Sequence, residues 1–120
     1  MEKIISEILK DLCISPALHG YSYLRYAIEL TIKDPKLMHS ISKELYPLVA
    51  KHFGSTPSRV ERTMRHAIML AWEEPYSPAR DAIFRYSVRA SLGNPTNGQF
   101  IATVADYLYT TGRVKYDEAC

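Results

Sequence analysis

Scarcity is the first thing the 120 residues show: two cysteines, five glycines, one tryptophan and no apolar run approaching a membrane span. A span needs about 18 consecutive apolar residues, so none is expected here. Cys13 falls in an apolar helical pattern and Cys120 is the last residue. Two cysteines so placed make neither a disulfide framework nor a zinc-ligand spacing. With so few glycines there is no phosphate-cradling loop; Gly93 and Gly98 read as turn glycines. The opening Met1-Glu2-Lys3-Ile4-Ile5-Ser6-Glu7 carries acids early and lacks the apolar core of a secretory signal. A cytoplasmic compartment is therefore the default expectation.

Catalytic constellations are equally thin. His19, His39, His52 and His66 are scattered, and none is spaced as a ligand pair with another histidine, cysteine or acid. Gly20-Tyr21-Ser22 lacks the second glycine and the preceding strand of a nucleophile elbow. His19 fits the start of a helix better than chemistry. No catalytic residue, metal or cofactor is expected.

What is present is helical period. Hydrophobic residues make up 47% of the chain, enough for one buried core, and no segment alternates with period 2. Ile4, Ile5, Ile8, Leu9 and Leu12 predict a first helix that ends before Ser15-Pro16. A second runs from about Gly20 to Lys33. Asp34 and Pro35 predict the cap and first turn of a third, carrying Leu37, Met38, Ile41, Leu45, Leu48 and Val49 and kinked or divided by Pro47. After Gly54 and a turn rich in capping residues, a fourth helix runs from Ser58 to about Glu73. Pro75 to Pro78 break the pattern before a shorter helix around Ala82, Ile83, Tyr86 and Val88. Thr96 or Asn97 caps a last helix with Phe100, Ile101, Val104, Ala105 and Leu108. Residues 111–120 are polar and are expected to fray. The nine tyrosines suit core edges or interfaces.

Net charge is only +2, but its distribution is uneven. Between Lys51 and His66, Lys51, Arg59, Arg62 and Arg65 face a single acid, Glu61. At about 100° per residue, Val60, Met64, Ala67, Ile68 and Ala71 share one face of the fourth helix. Ser58, Arg62, Arg65 and Met69 share the opposite one, flanked by Arg59 and His66. Val49-Ala50-Lys51-His52-Phe53-Gly54 precedes it, with a small residue four before the turn glycine, as a close helix-turn-helix crossing requires. Ser55 and Thr63 stand where that motif is usually apolar. The plainer reading is a solvated arginine face. A second alternative is an interaction module whose basic helix meets an acidic protein. The capped turn, the small-residue crossing and the one-sided cations favour duplex DNA.

Four stretches also carry a resemblance. They are His19 to Ile28, Leu45 to Lys51, Ser58-Arg59-Val60-Glu61-Arg62 running on to Trp72, and Pro95-Thr96-Asn97 running on to Asp106. Together they resemble the C-terminal DNA-binding effector domain of the sporulation master response regulator, the stage zero sporulation protein A family, over residues 1–110. The resemblance implies an all-α domain of six helices containing a helix-turn-helix, which activates or represses sporulation genes. It implies base contacts from Glu61 and Arg62, and phosphate contacts from Lys51, Thr56, Ser58, Arg59, Arg65, His66, Thr96 and Asn97. It further implies dimers on tandem DNA sites. Contact with the RNA polymerase sigma subunit through residues 74–89 follows as well, with Glu74, Arg85 and Arg89 as candidates. The receiver domain that ordinarily precedes such a module is not among these residues. The prolines at 75 and 78 depart from the family's usual turn, and Asn94 stands where a lysine is common.

Overall fold

A computed structural model describes residues 1–85 and 93–114, and every regular element in them is helical. Six α-helices follow in order: α1 (Glu2–Asp11), α2 (His19–Lys33), α3 (Tyr46–Phe53), α4 (Pro57–Trp72), α5 (Pro78–Phe84) and α6 (Asn97–Thr110). The all-α, six-helix expectation holds.

Helix α2 is the axle of the core. It packs against α1, α3, α4 and α6, and Leu24, Ala27, Ile28 and Ile32 are fully buried along it. Its second residue explains how α4 can seat so closely. A Cβ at Gly20 would lie 2.6 Å from the Ala67 Cβ and 2.7 Å from the Thr63 carbonyl oxygen, so only glycine permits this crossing.

Two expectations need correction. The segment after Asp34, expected as a helix kinked or divided by Pro47, is three pieces: a 3₁₀ turn (Pro35–His39), a π turn (Ile41–Leu45) and α3. The break falls at Ser40, whose φ of −149° and ψ of 51° leave the helical region. Pro47 sits in the first turn of α3, where its missing N–H is tolerated. Asp34 does precede the 3₁₀ turn, yet its side chain makes no capping bond.

The second correction concerns the C-terminal end. Of residues 111–114, expected to fray, the first three are exposed but the last is held in the fold. Val114 is buried, its N–H reaches the Leu108 carbonyl, and Arg113 pairs with Glu7 at 3.9 Å. Residues 115–120 lie outside the described residues, as do Tyr86, Val88 and Arg89 of the fifth predicted helix.

The departure at Pro75 and Pro78 has a local explanation. Ser77 is the N-cap of α5, with Pro78 in its first turn. Its buried hydroxyl accepts from the Arg80 N–H at 3.1 Å and donates to the Asp11 carbonyl at 3.1 Å. One serine thus starts α5 and ties it to the end of α1. Behind it, Trp72, Phe84 and Phe100 meet ring to ring, with centroids 5.0 to 5.9 Å apart.

Candidate nucleic-acid interface

Helix α3, a three-residue turn and α4 form the helix-turn-helix. Gly54 ends α3 in the left-handed region, at φ 65° and ψ 40°, and its N–H returns to the Ala50 carbonyl. The Ser55 N–H reaches the same oxygen at 2.8 Å. Ala50 is buried, as a close crossing of the two helices demands. Thr56 is extended and caps α4, accepting the Arg59 N–H at 3.2 Å, and Pro57 opens the helix. The start therefore falls one residue before the predicted Ser58, because a proline with its fixed φ suits the first helical position. Ser55 occupies a normally apolar place, and its hydroxyl is buried without a partner among the described residues.

The burial pattern of α4 is the one its periodicity predicts. Val60, Met64, Ala67, Ile68 and Ala71 are its buried residues. Ser58, Arg59, Arg62, Arg65, His66 and Met69 are exposed on the other side. From Arg59 to Arg65 the cations extend about 9 Å along the axis, at 1.5 Å per residue. Such a helix fits a major groove about 12 Å wide. Arg62 has no hydrogen-bond or ion-pair partner among the described residues, so its guanidinium is available to a ligand. Lys51, at the exposed end of α3, adds a cation next to the turn. Thr56 and Ser58 are exposed at the positive end of α4, where an anion is favoured. The Thr56 hydroxyl keeps its proton for a second partner while capping.

Glu61 and Arg65 form an arrangement that spacing alone left open. Arg65 Nε donates to Glu61 Oε1 at 3.0 Å and its terminal nitrogen to Oε2 at 3.5 Å. The expected base-reading acid and an expected phosphate-holding cation are therefore partners of each other. Both side chains are well exposed, at 39% and 62%, so the pair is screened by water. A pair of this kind contributes only about 0.3–0.5 kcal/mol.

The start of α6 divides the two remaining site residues. Thr96 is exposed and is the cap: its hydroxyl accepts the Gln99 N–H while the Gln99 side chain accepts the Thr96 N–H. Asn97, expected at a phosphate, is 6% exposed with its side chain turned inward. Its amide donates to the Glu61 carbonyl at 2.9 Å and to the Tyr46 hydroxyl at 3.1 Å. Burial raises the Tyr46 pKa from its ordinary value, with the nearby Glu61 adding to the effect, while the Asn97 bond and Arg65 oppose it. A lone Pro-Thr-Asn string does not show which of its polar residues faces in.

Of the candidates after Trp72, Glu74 and Arg85 are exposed, and Arg89 lies outside the described residues. Glu74 and Arg85 border an open cleft of about 1280 Å³ that also takes in Trp72, Tyr76 and Arg80. Among the described residues there is no cluster of potential metal ligands, and no helix is long and apolar enough to cross a membrane.

Comparison with known families agrees with the geometry. Residues 5–108 match the family of the sporulation initiation factor Spo0A C terminal. That family is one of DNA-binding regulatory domains and not of enzymes. The helix-turn-helix, the cationic outer face of α4 and this match lead to one conclusion: the chain belongs to the Spo0A C-terminal family, whose members bind DNA to regulate the transcription of sporulation genes.

Proposed function

We propose that the chain reads promoter DNA by laying α4 in the major groove, with Arg62 as its principal base-reading side chain. The observation that carries this is the exposed, unpartnered Arg62 at the centre of a helix whose opposite face is wholly buried. An arginine so presented can bond guanine O6 and N7 together. Glu61 reads a cytosine amino group after turning away from Arg65, which then moves to a phosphate. Lys51, Thr56, Ser58, Arg59, His66 and Thr96 fix the register on the backbone, a role that positions without specifying. Two chains sit on tandem sites, and Glu74 and Arg85 meet the polymerase sigma subunit. The tandem arrangement rests on the resemblance to the family alone, and the sigma contact on that resemblance and the exposure of the two residues.

Binding isotherms test the assignment. The duplexes are one selected by the chain from a random pool and its scrambled counterpart, each at several salt concentrations. Arg62→Ala is expected to cost roughly 1–3 kcal/mol on the selected duplex and to relax preference at one base pair. Arg65→Ala is expected to weaken both duplexes about equally and to lower the salt slope by about one. Glu61→Ala lowers discrimination while scrambled-duplex affinity holds or rises, because Arg65 is released. Identical behaviour of Arg62→Ala and Arg65→Ala on both duplexes reduces α4 to an electrostatic patch. Equal, weak binding of the two duplexes by the unaltered chain favours an acidic protein partner instead.

A further inference from the structure

We propose that Asn97 is a positioning residue: without touching DNA, it fixes the rotation of α4 and so determines how sharply Arg62 and Glu61 discriminate bases. The inference rests on the reading of α4 as the base-reading helix. Asn97 is the first residue of α6, and its amide nitrogen spans to Glu61 and Tyr46, 36 and 51 positions away in the chain. Tyr46 is the first residue of α3. One buried amide therefore joins both helices of the helix-turn-helix to a third element.

The orientation of that amide is not arbitrary. The Glu61 carbonyl can only accept, so the nitrogen of Asn97 must face it. The amide oxygen is then left buried with no hydrogen-bond partner among the described residues. A leucine of similar size would fill the site but could donate to neither the Glu61 carbonyl nor the Tyr46 hydroxyl. What the amide alone supplies is a directed bond from outside α4 to the backbone of the base-reading turn.

The position of that bond decides its effect. Arg62 follows Glu61 directly, so holding the Glu61 peptide holds the Cα of Arg62 against rotation. A rotation of α4 by 20° moves a side-chain tip about 6 Å from the axis by about 2 Å. Two simultaneous bonds from one guanidinium to one guanine do not survive such a shift. A salt-mediated phosphate contact is far less directional and does survive it. Loss of the Asn97 bond therefore lowers discrimination and spares general affinity.

The test uses the full chain with Asn97→Leu, which removes the donor without adding charge, and Tyr46→Phe, which removes only one acceptor. Arg62→Ala serves as the reference. Each variant is measured for thermal midpoint, active fraction by stoichiometric titration, and affinity for the selected and scrambled duplexes across salt. For Asn97→Leu the ratio of the two affinities is expected to fall by about fivefold or more, the size of one compromised base contact, with scrambled affinity and salt slope unchanged. Tyr46→Phe is expected to lower the ratio in the same direction but less. Parallel losses on both duplexes with a shallower salt slope would make Asn97 a phosphate contact and overturn the proposal. An unchanged ratio, once corrected for active fraction, would leave a merely structural role and also overturn it. Should Asn97→Leu fail to fold, Tyr46→Phe decides, and an unchanged ratio there refutes the proposal. If Arg62→Ala also leaves the ratio unchanged, the reading of α4 itself has failed; if only Arg62→Ala lowers it, the role of Asn97 alone is lost.

Discussion

Thr56-Pro57 and Ser77-Pro78 are the same local start signal: a hydroxyl that accepts the N–H three residues on, then a proline in the first turn. Their surroundings differ. The Thr56 cap is exposed beside free-facing cations, whereas the Ser77 cap is buried and its hydroxyl also bonds the end of α1. The arginines three residues past each cap differ likewise. Arg59 is exposed with no side-chain partner among the described residues. Arg80 lies over the Trp72 ring at 5.6 Å and donates to the Pro75 carbonyl. The same sequence device thus opens a helix with an exposed cationic face in one place and anchors the fold in the other.

Removing the two caps is the strongest way to break this comparison. Ser77→Ala deletes a cap and a buried bond to the Asp11 carbonyl, and is expected to cost about 1–3 kcal/mol of stability. Thr56→Ala deletes an exposed cap and is expected to cost about 1 kcal/mol while also weakening DNA binding. Urea unfolding of both variants measures the difference. Equal costs would mean that the burial of Ser77 adds nothing.

The arginine pair sharpens the contrast at a smaller scale. Arg80→Ala is expected to lose about 0.5–1 kcal/mol of stability through its contact with Trp72, with DNA affinity intact. Arg59→Ala is expected to leave the unfolding midpoint unchanged and to lower the DNA salt slope by about one. A reversal of these readouts would place Arg80 at the DNA and Arg59 in the fold.

The smallest expected effect belongs to the ion pair on the outer face of α4. Replacing Glu61 by Gln is expected to reduce stability by only about 0.3–0.5 kcal/mol at low salt, and by nothing measurable near 1 M salt. A larger, salt-resistant loss would mean that the Glu61 side chain is held as firmly as its backbone carbonyl, and that it does not exchange for DNA.

How much of this was legible beforehand varied with the range of the interaction. The buried face of α4 follows from the spacing of Val60, Met64, Ala67, Ile68 and Ala71, because a helix repeats every 3.6 residues whatever surrounds it. The αL glycine at 54 and the hydroxyl cap at 56 are equally local. The division of the segment before α3 was only half legible. Pro47 signalled an interruption, but the break at Ser40 depends on how Leu37, Met38 and Ile41 reach the core.

The sequence by itself determined the helical class, the face of α4 that enters the core and the row of cations that does not. Each of these is set within a few residues by backbone geometry and the cost of burying charge. Only the tertiary structure decided that Gly20 is the seat of α4, that Ser77 anchors α5 to α1, and that Asn97 turns inward to Glu61 and Tyr46. These contacts join residues tens of positions apart. Which polar atom meets which is then fixed by how whole helices pack, and no local pattern carries that information.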